Sequence, residues 1–424
     1  MRYLKSVVVE GFRGRPKYTF DFSSEVNFLI GINGTGKTTL MRLIEKALRG
    51  DNSIQNEPFK SLLLTFDGAG SSENLFPSSA SPQILIERVT EEFSPDMIQI
   101  SYRDDQASEF ASVYETENPL HIQHVTPSGL IRRRRRRKSD YYRLISELQV
   151  IWFSVQRYRY EPNDDYEEFP FSVAEEVANP IDSRLSEAAN SAASYLSSLD
   201  ANYKSIMDKF QEDYLSEVAR MPDRGRLQIS DDNWQSALEK MVDIHKNLNI
   251  DSSQIAAQIS EVGSILDQGI GSDEVNYRVA QSTLLKINSV ITQWEAAQSR
   301  ILHNFRPKLD LIKIVNSFLS GKKLEFLGTN LPVFKLDDGT KHGLSDLSSG
   351  EKQLLIFLFE AFVLEGKSCI YLADEPELSL HVVWQEKLVN SIRTLNPAAQ
   401  IIFATHSPDI VGDTGGKVFD LGRV

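Results

Sequence analysis

The sequence contains a single cysteine, Cys369. No intrachain disulfide can form, and the expectation is a reducing, cytoplasmic setting. Long apolar runs are missing too. The longest, Leu354–Leu364, is broken by Glu360 and is too short to cross a bilayer, which excludes a membrane-embedded chain. The opening residues Met1-Arg2-Tyr3-Leu4-Lys5 run into an amphipathic strand, so no leader is expected. Basic residues are outnumbered, 46 Lys and Arg against 59 Asp and Glu, for a net charge of −13. That argues against a uniformly basic nucleic-acid binder and leaves only local patches. His121 and His124 lack a third ligand, so no zinc site is expected. Asp104-Asp105, Asp164-Asp165 and Asp231-Asp232 sit in polar loops and read as turns.

What is present is the composition of an ordinary soluble protein, 41% hydrophobic and 25% charged, long enough at 424 residues for two or three compact units. Tyr3–Val9 and Tyr18–Phe22 read as strands joined by a turn through Phe12-Arg13. Val26–Ile30 is a short apolar run, as a buried central strand should be, and it delivers the chain into Gly31-Ile32-Asn33-Gly34-Thr35-Gly36-Lys37-Thr38. This is a complete G-x-x-x-x-G-K-[ST] loop followed by an amphipathic helix over 40–48. Glycines let backbone N–H groups cradle phosphate oxygens at a positive helix end. Lys37 would reach the β- and γ-phosphates of ATP, and Thr38 would ligate Mg²⁺. Asn33, Gly34, Thr35, Gly36, Lys37, Thr38 and Thr39 are the candidate nucleotide-binding residues. Leu62–Phe66, Gln83–Val89, Ile98–Tyr102 and Ala111–Tyr114 form a run of short strands, expected to make an antiparallel layer. Arg132–Arg137 with Lys138 is an unbroken cationic run. It suits a nucleic-acid backbone, and equally a solvated loop or a partner for the acidic segment around Glu161–Glu168. Leu148–Val155 is a further apolar strand, followed by Gln156.

From about 170 to 320 the composition shifts to Ser, Ala, Gln, Leu and Ile. Helical spacing runs over Ser183–Ala219, Asp232–Asn247, Ser252–Gln268 and Asp273–Phe305, the last with Val279, Leu284, Ile287, Val290, Ile291 and Trp294 on one broad face. Heptads are not sustained, so the expectation is a compact helical insertion and not a coiled-coil arm.

The final hundred residues begin with a hairpin over Lys323–Leu327 and Pro332–Leu336. Ser348-Ser349-Gly350-Glu351 then has capping-box spacing and opens a helix to Leu364. The apolar strand Ile370–Ala373 ends in Asp374-Glu375. Asp374 would hold Mg²⁺ through water, and Glu375 would polarise the water that attacks the γ-phosphate. Glu377-Leu378-Ser379-Leu380-His381 follows, then the strand Gln400–Ala404 ending at Thr405-His406, and a short strand Lys417–Leu421.

Taken in this order, these motifs resemble an ATP-binding cassette of the SMC/RecF/OLD type. The resemblance implies an α/β P-loop ABC-type ATPase head, a mixed sheet with an antiparallel β layer, carrying an inserted mainly helical domain. Its expected divisions are 1–165 with the phosphate loop, 166–320 for the insertion and 321–424 for the C-terminal lobe. It implies Gln156 as the glutamine that touches Mg²⁺ and the attacking water, and His406 as the switch histidine at the γ-phosphate. Ser348 and Gly350 become the signature that meets the nucleotide of a sister subunit, in a homodimer or higher homo-oligomer; Ser349 departs from the usual L-S-G-G pattern. Arg13 takes either a place against the base or ribose, or that of an exposed turn residue. The wording E-P-E-L-S-L-H resembles OLD-like defence ATPases, while no nuclease domain of the OLD kind is expected in the chain. The design is thus similar to ATPase subunits of bacterial anti-phage systems such as Septu, PARIS and those associated with retrons, which implies a separate effector, a nuclease. The alternative is a RecF-like DNA-repair ATPase that binds DNA directly.

Overall fold

The computed structural model describes residues 2–67, 81–89, 97–103, 109–115, 144–145, 148–154, 180–219, 234–248, 250–269 and 274–422. Gln156, Arg132–Lys138, His121, His124 and the three acid pairs lie outside the described residues. The chain divides into two compact units, Met1–Ala193 with Asp310–Val424, and Ser194–Leu309.

In chain order the elements begin with strands β1 (Tyr3–Phe12), β2 (Arg15–Asp21) and β3 (Val26–Ile30) and helix α1 (Lys37–Arg49). Strands β4 (Ser61–Asp67), β5 (Gln83–Val89), β6 (Met97–Arg103), β7 (Ala111–Glu115) and β8 (Gln149–Ser154) follow. Helices α2 (Pro180–Ala219), α3 (Trp234–Asn247), α4 (Ser253–Asp267) and α5 (Glu274–Phe318) come next. The chain closes with β9 (Lys322–Phe326), β10 (Pro332–Leu336), β11 (Lys341–His342), α6 (Ser349–Val363), β12 (Cys369–Asp374), α7 (Val382–Leu395), β13 (Ala399–Ala404), the short α8 (Pro408–Val411) and β14 (Lys417–Asp420).

Parallel and antiparallel strands segregate. One sheet is wholly antiparallel, in the order β2-β1-β4-β5-β6-β7, and a second is wholly parallel, in the order β14-β3-β13-β12-β8. The expected hairpin is β9 with β10, extended by β11. In the antiparallel sheet a register shift between Leu4 and Ser6 lets Leu4 and Val7 face one core despite their odd spacing. That core joins Val7, Val9 and Phe12 of β1 and Leu62, Leu64 and Phe66 of β4 to Leu40, Leu43, Ile44 and Leu48 of α1, and to Ile370 and Leu372 of β12. Helix α1 therefore packs between the two sheets. Alternation along β12 sends Tyr371 to the opposite face, where its ring lies 6.1 Å from that of Phe357 on α6. Phe403 of β13 joins them, 6.4 Å from Phe357. Both faces of the parallel sheet are covered, which is why β12 and β13 are buried along their whole length.

The second unit has its own core. Phe210 of α2, Met241 and Ile244 of α3, Ile259 of α4 and Leu284, Ile291 and Trp294 of α5 pack together. Gly263 lies beneath Trp234 so closely that an added Cβ would meet the indole at 2.3 Å. Two details differ from the sequence reading. Val279 is half exposed and not on the buried stripe. Helix α5 does not stop near Phe305 but runs through Pro307 to Phe318. An internal proline costs about 3 kcal/mol, and burial of Leu311, Val315 and Phe318 beyond it offsets that cost.

Candidate nucleotide site

In a parallel sheet the carboxyl ends of all strands lie on one edge, and ligands bind there. Register brings three such ends together, since Asp374 of β12 pairs with Ala404 of β13 and Ala404 pairs with Leu29 of β3. Asp374 also pairs with Ser154, the last residue of β8. The loops leaving β3, β12 and β13 carry the motif residues.

The phosphate loop turns on Ile32, whose carbonyl accepts from the Thr35 N–H at 3.3 Å and the Thr35 hydroxyl at 2.9 Å. Gly36 caps α1 with φ of 99°, and an added Cβ would meet Arg13 Cδ at 2.8 Å, so both backbone strain and lack of space require glycine. The Arg13 guanidinium donates to the Gly34 carbonyl at 2.8 Å and to Thr39 Oγ1 at 3.1 Å, bracing the loop from the β1–β2 turn. Two of its nitrogens are thus engaged with the loop, while Arg13 itself is an exposed residue of the β1–β2 turn, as the second alternative had it. Helix α1 starts at Lys37, so its positive end faces the loop it leaves.

Lys37 is buried. Its ammonium donates to the Gly31 carbonyl at 2.9 Å and lies 2.5 Å from His406 Nε2. Burial lowers its proton affinity, while Glu375, Asp374 and Glu377 pull the other way. Asp374 is 4% exposed, and burial pushes its carboxyl up to about 6. Glu375 and Glu377 add to that shift, against a hydrogen bond from Thr38 and the charge of Lys37. Its Oδ1 is buried without a hydrogen-bond partner among the described residues. Glu375 adopts a left-handed φ of 49°, with its N–H held by the Ala404 carbonyl at 2.8 Å. Its carboxylate stands 3.9 Å from His406 Nε2. Lys37, Thr38, Asp374, Glu375 and His406 are therefore brought together.

Thr38 and Asp374 fit a divalent cation of the Mg²⁺ type, because an orphaned buried carboxylate oxygen beside a hydroxyl is a hard-oxygen donor set. When bound, such a cation would neutralise charge on phosphate oxygens. The loop, the α1 start and the Lys37 ammonium together suit a triphosphate.

Ser348 stands elsewhere. It is the exposed N-cap of α6, accepts from the Glu351 N–H at 3.4 Å and donates its own N–H to Glu351 Oε2 at 2.8 Å. No hydrogen bond joins it to the Lys37 cluster among the described residues. Burial alone would raise the Glu351 carboxyl, but the Lys322 ammonium and the two Ser348 donors outweigh it and hold it low. Gly350 is buried under the loop after β12, where an added Cβ would sit 2.4 Å from the Ser379 carbonyl oxygen. That contact gives the glycine a packing role apart from any nucleotide.

Two residues were not singled out from sequence. Glu377 accepts the His406 N–H at 2.6 Å. Gln385 of α7 donates to the Leu380 carbonyl at 2.9 Å and accepts from the Ser407 hydroxyl at 2.6 Å, tying the loop after β12 to the loop after β13. The E-P-E wording was the only signal for Glu377, and nothing local marked Gln385.

Comparison with known proteins gives one family match. A family model described as an AAA ATPase domain matches residues 2–411. Among solved structures, the chain is similar to the Smc head domain with an extended coiled coil bound to the C-terminal domain of ScpA from Pyrococcus furiosus. That match has 11% identity and a TM-score of 0.46, covering 99% of this chain and 93% of that one. It is also similar to the Smc head domain with a coiled coil and joint from Pyrococcus yayanosii, at 12% identity and a TM-score of 0.43, covering 99% and 95%.

Proposed function

Given that the chain belongs to the AAA ATPase domain family, with the α/β fold of a P-loop ABC-type ATPase head, we propose that it binds ATP with Mg²⁺ at the edge of the parallel sheet and hydrolyses the γ-phosphate. The observation that carries this reading is the meeting of Lys37, Asp374, Glu375 and His406 from three loops, with a carboxylate oxygen of Asp374 left buried and orphaned. Lys37 and the phosphate loop bind the triphosphate. Glu375 is the general base for water, and His406 contacts the γ-phosphate. Gln156 completes the site as a further ligand for the metal and the water.

In this reading two copies dimerise around two ATP molecules, and Ser348 and Gly350 of one close the nucleotide held by the other. The exposed capping box supports it, because a helix start with a free face binds anions well. The biological setting is an anti-phage defence complex in the cytoplasm, in which turnover controls a separate effector subunit. The motif Glu375–His381 supports that setting. Steady-state phosphate release by wild type and Glu375→Gln, with sedimentation in ATP, tests the core of the proposal. Wild type is expected to turn over, and the variant to bind ATP and accumulate as a dimer. Equal phosphate release by the two would remove Glu375 from the mechanism.

The cationic run Arg132–Lys138 favours a second reading, a RecF-like ATPase that binds DNA itself. A gel shift of duplex DNA by the purified chain, weakening steeply as salt rises, would support it.

A further inference from the structure

Glu377 lies two residues beyond the proposed general base, and its contacts set it apart from an ordinary loop acid. One oxygen accepts the backbone N–H of His406 at 2.6 Å. The other is buried with no hydrogen-bond partner among the described residues. Its charge is felt by both Lys37 and Asp374, so the carboxylate faces the same space as the phosphate loop. Its carbonyl is held as well, accepting from the Leu380 N–H at 3.0 Å and from Gln385 Nε2 at 3.4 Å. The residue is thus fixed at the backbone by its own turn and by α7, while its side chain grips the segment that presents His406.

That segment needs a grip. Thr405 is anchored to β3, with its N–H on the Leu29 carbonyl at 3.1 Å, and Ser407 caps α8 by accepting the Asp409 N–H. Between these anchors the His406 N–H is a main-chain donor past the end of β13, where the sheet offers it no acceptor. Glu377 supplies that acceptor, and the imidazole then stands 2.5 Å from the Lys37 ammonium and 3.9 Å from the Glu375 carboxylate.

We propose that Glu377 is a positioning residue for the ATPase reaction, clamping the His406 main chain through the Glu377 carboxylate so that the imidazole is held between Lys37 and Glu375. The inference rests on the proposed ATPase reading and adds to it a residue that acts through His406. What the clamp requires is an acceptor oxygen at that place, not a negative charge. Glutamine keeps the acceptor and the length of the side chain, whereas alanine removes both.

The test combines turnover with a readout that needs no activity. Glu377→Ala is expected to lower kcat about 10- to 100-fold, the scale for a displaced catalytic group, while ATP affinity stays within about twofold. Glu377→Gln is expected to restore kcat to within roughly threefold of wild type. In a His406→Ala background, Glu377→Ala should cost less than about twofold, because a group that acts through His406 has nothing left to position. Amide hydrogen exchange in ATP-free protein should show the His406 N–H protected in wild type and Glu377→Gln and unprotected in Glu377→Ala. Three results would each overturn the proposal: Glu377→Gln as inactive as Glu377→Ala, full additivity with His406→Ala, or an unchanged His406 amide in Glu377→Ala. A wild type without turnover would instead refute the ATPase reading, and the exchange measurement would then decide the clamp by itself.

Discussion

The Lys37 ammonium lies 2.5 Å from the imidazole Nε2 of His406, although the two residues come from loops at opposite ends of the chain. Lys37→Ala is expected to weaken ATP binding about 10- to 100-fold, the value of a charge-assisted hydrogen bond. His406→Ala is expected to leave affinity nearly unchanged and to reduce turnover. Titration calorimetry and steady-state kinetics separate the two, and unchanged ATP affinity in Lys37→Ala would count against the site.

Asp374 sets a pH dependence. Burial raises its carboxyl to about 6 from an ordinary 3.8. Between those values the folded chain binds more protons than the unfolded one, so stability falls as pH rises through that window and stays lowered above it. Asp374→Asn is therefore expected to raise the melting temperature of nucleotide-free protein at pH 7.5, by up to about 3 kcal/mol of stability, with a smaller gain at pH 4.5. Calorimetry at the two pH values checks the sign.

Gly350 is predicted to tolerate no side chain. An alanine Cβ would lie 2.4 Å from the carbonyl oxygen of Ser379, itself held at a φ of 69°. Gly350→Ala should lose about 1–3 kcal/mol in urea unfolding, as overpacking does. Gly328→Ala makes a control, because its added Cβ meets no atom within 4 Å and its backbone, like that of Gly350, is not left-handed. Equal losses in the two would mean that crowding against Ser379 is not the cause.

Arg184 and Glu360 form an ion pair at 2.7 Å, and Arg184 also donates to the Trp152 carbonyl at 2.7 Å. Burial raises the Glu360 carboxyl, and Arg184 opposes the rise. Arg184→Met would leave that acid without its counter-charge, at a cost of about 3–5 kcal/mol. The penalty should grow as pH rises, because the ionised acid is the form that suffers. Arg184→Met with Glu360→Gln should recover much of the loss in the same unfolding assay.

The phosphate loop, the capping box and the apolar strand that ends in Asp374-Glu375 were legible because each is a property of neighbouring residues. Glycine in left-handed backbone, a hydroxyl three residues before a glutamate, and a run of buried β-formers are all written locally. The helices of the second unit were legible from spacing, yet the far end of α5 was not. Whether Pro307 stops a helix depends on what the residues beyond it bury, and Leu311 and Val315 find a core that spacing does not reveal. The place of Val279 outside the core of the second unit escaped for the same reason.

Local order in the chain was thus enough to name the elements and the motif residues at their ends, because backbone preference and hydrophobic period act over a few residues. It could not say that Glu377 holds the His406 main chain, that Arg13 braces the phosphate loop, or that Gln385 joins two loops. Those contacts follow from the register of β3, β12 and β13, strands far apart in sequence that are aligned by packing on both faces of one sheet. A hydrogen bond between distant loops leaves no periodic trace, so the partners of His406 emerge when the strands are set side by side.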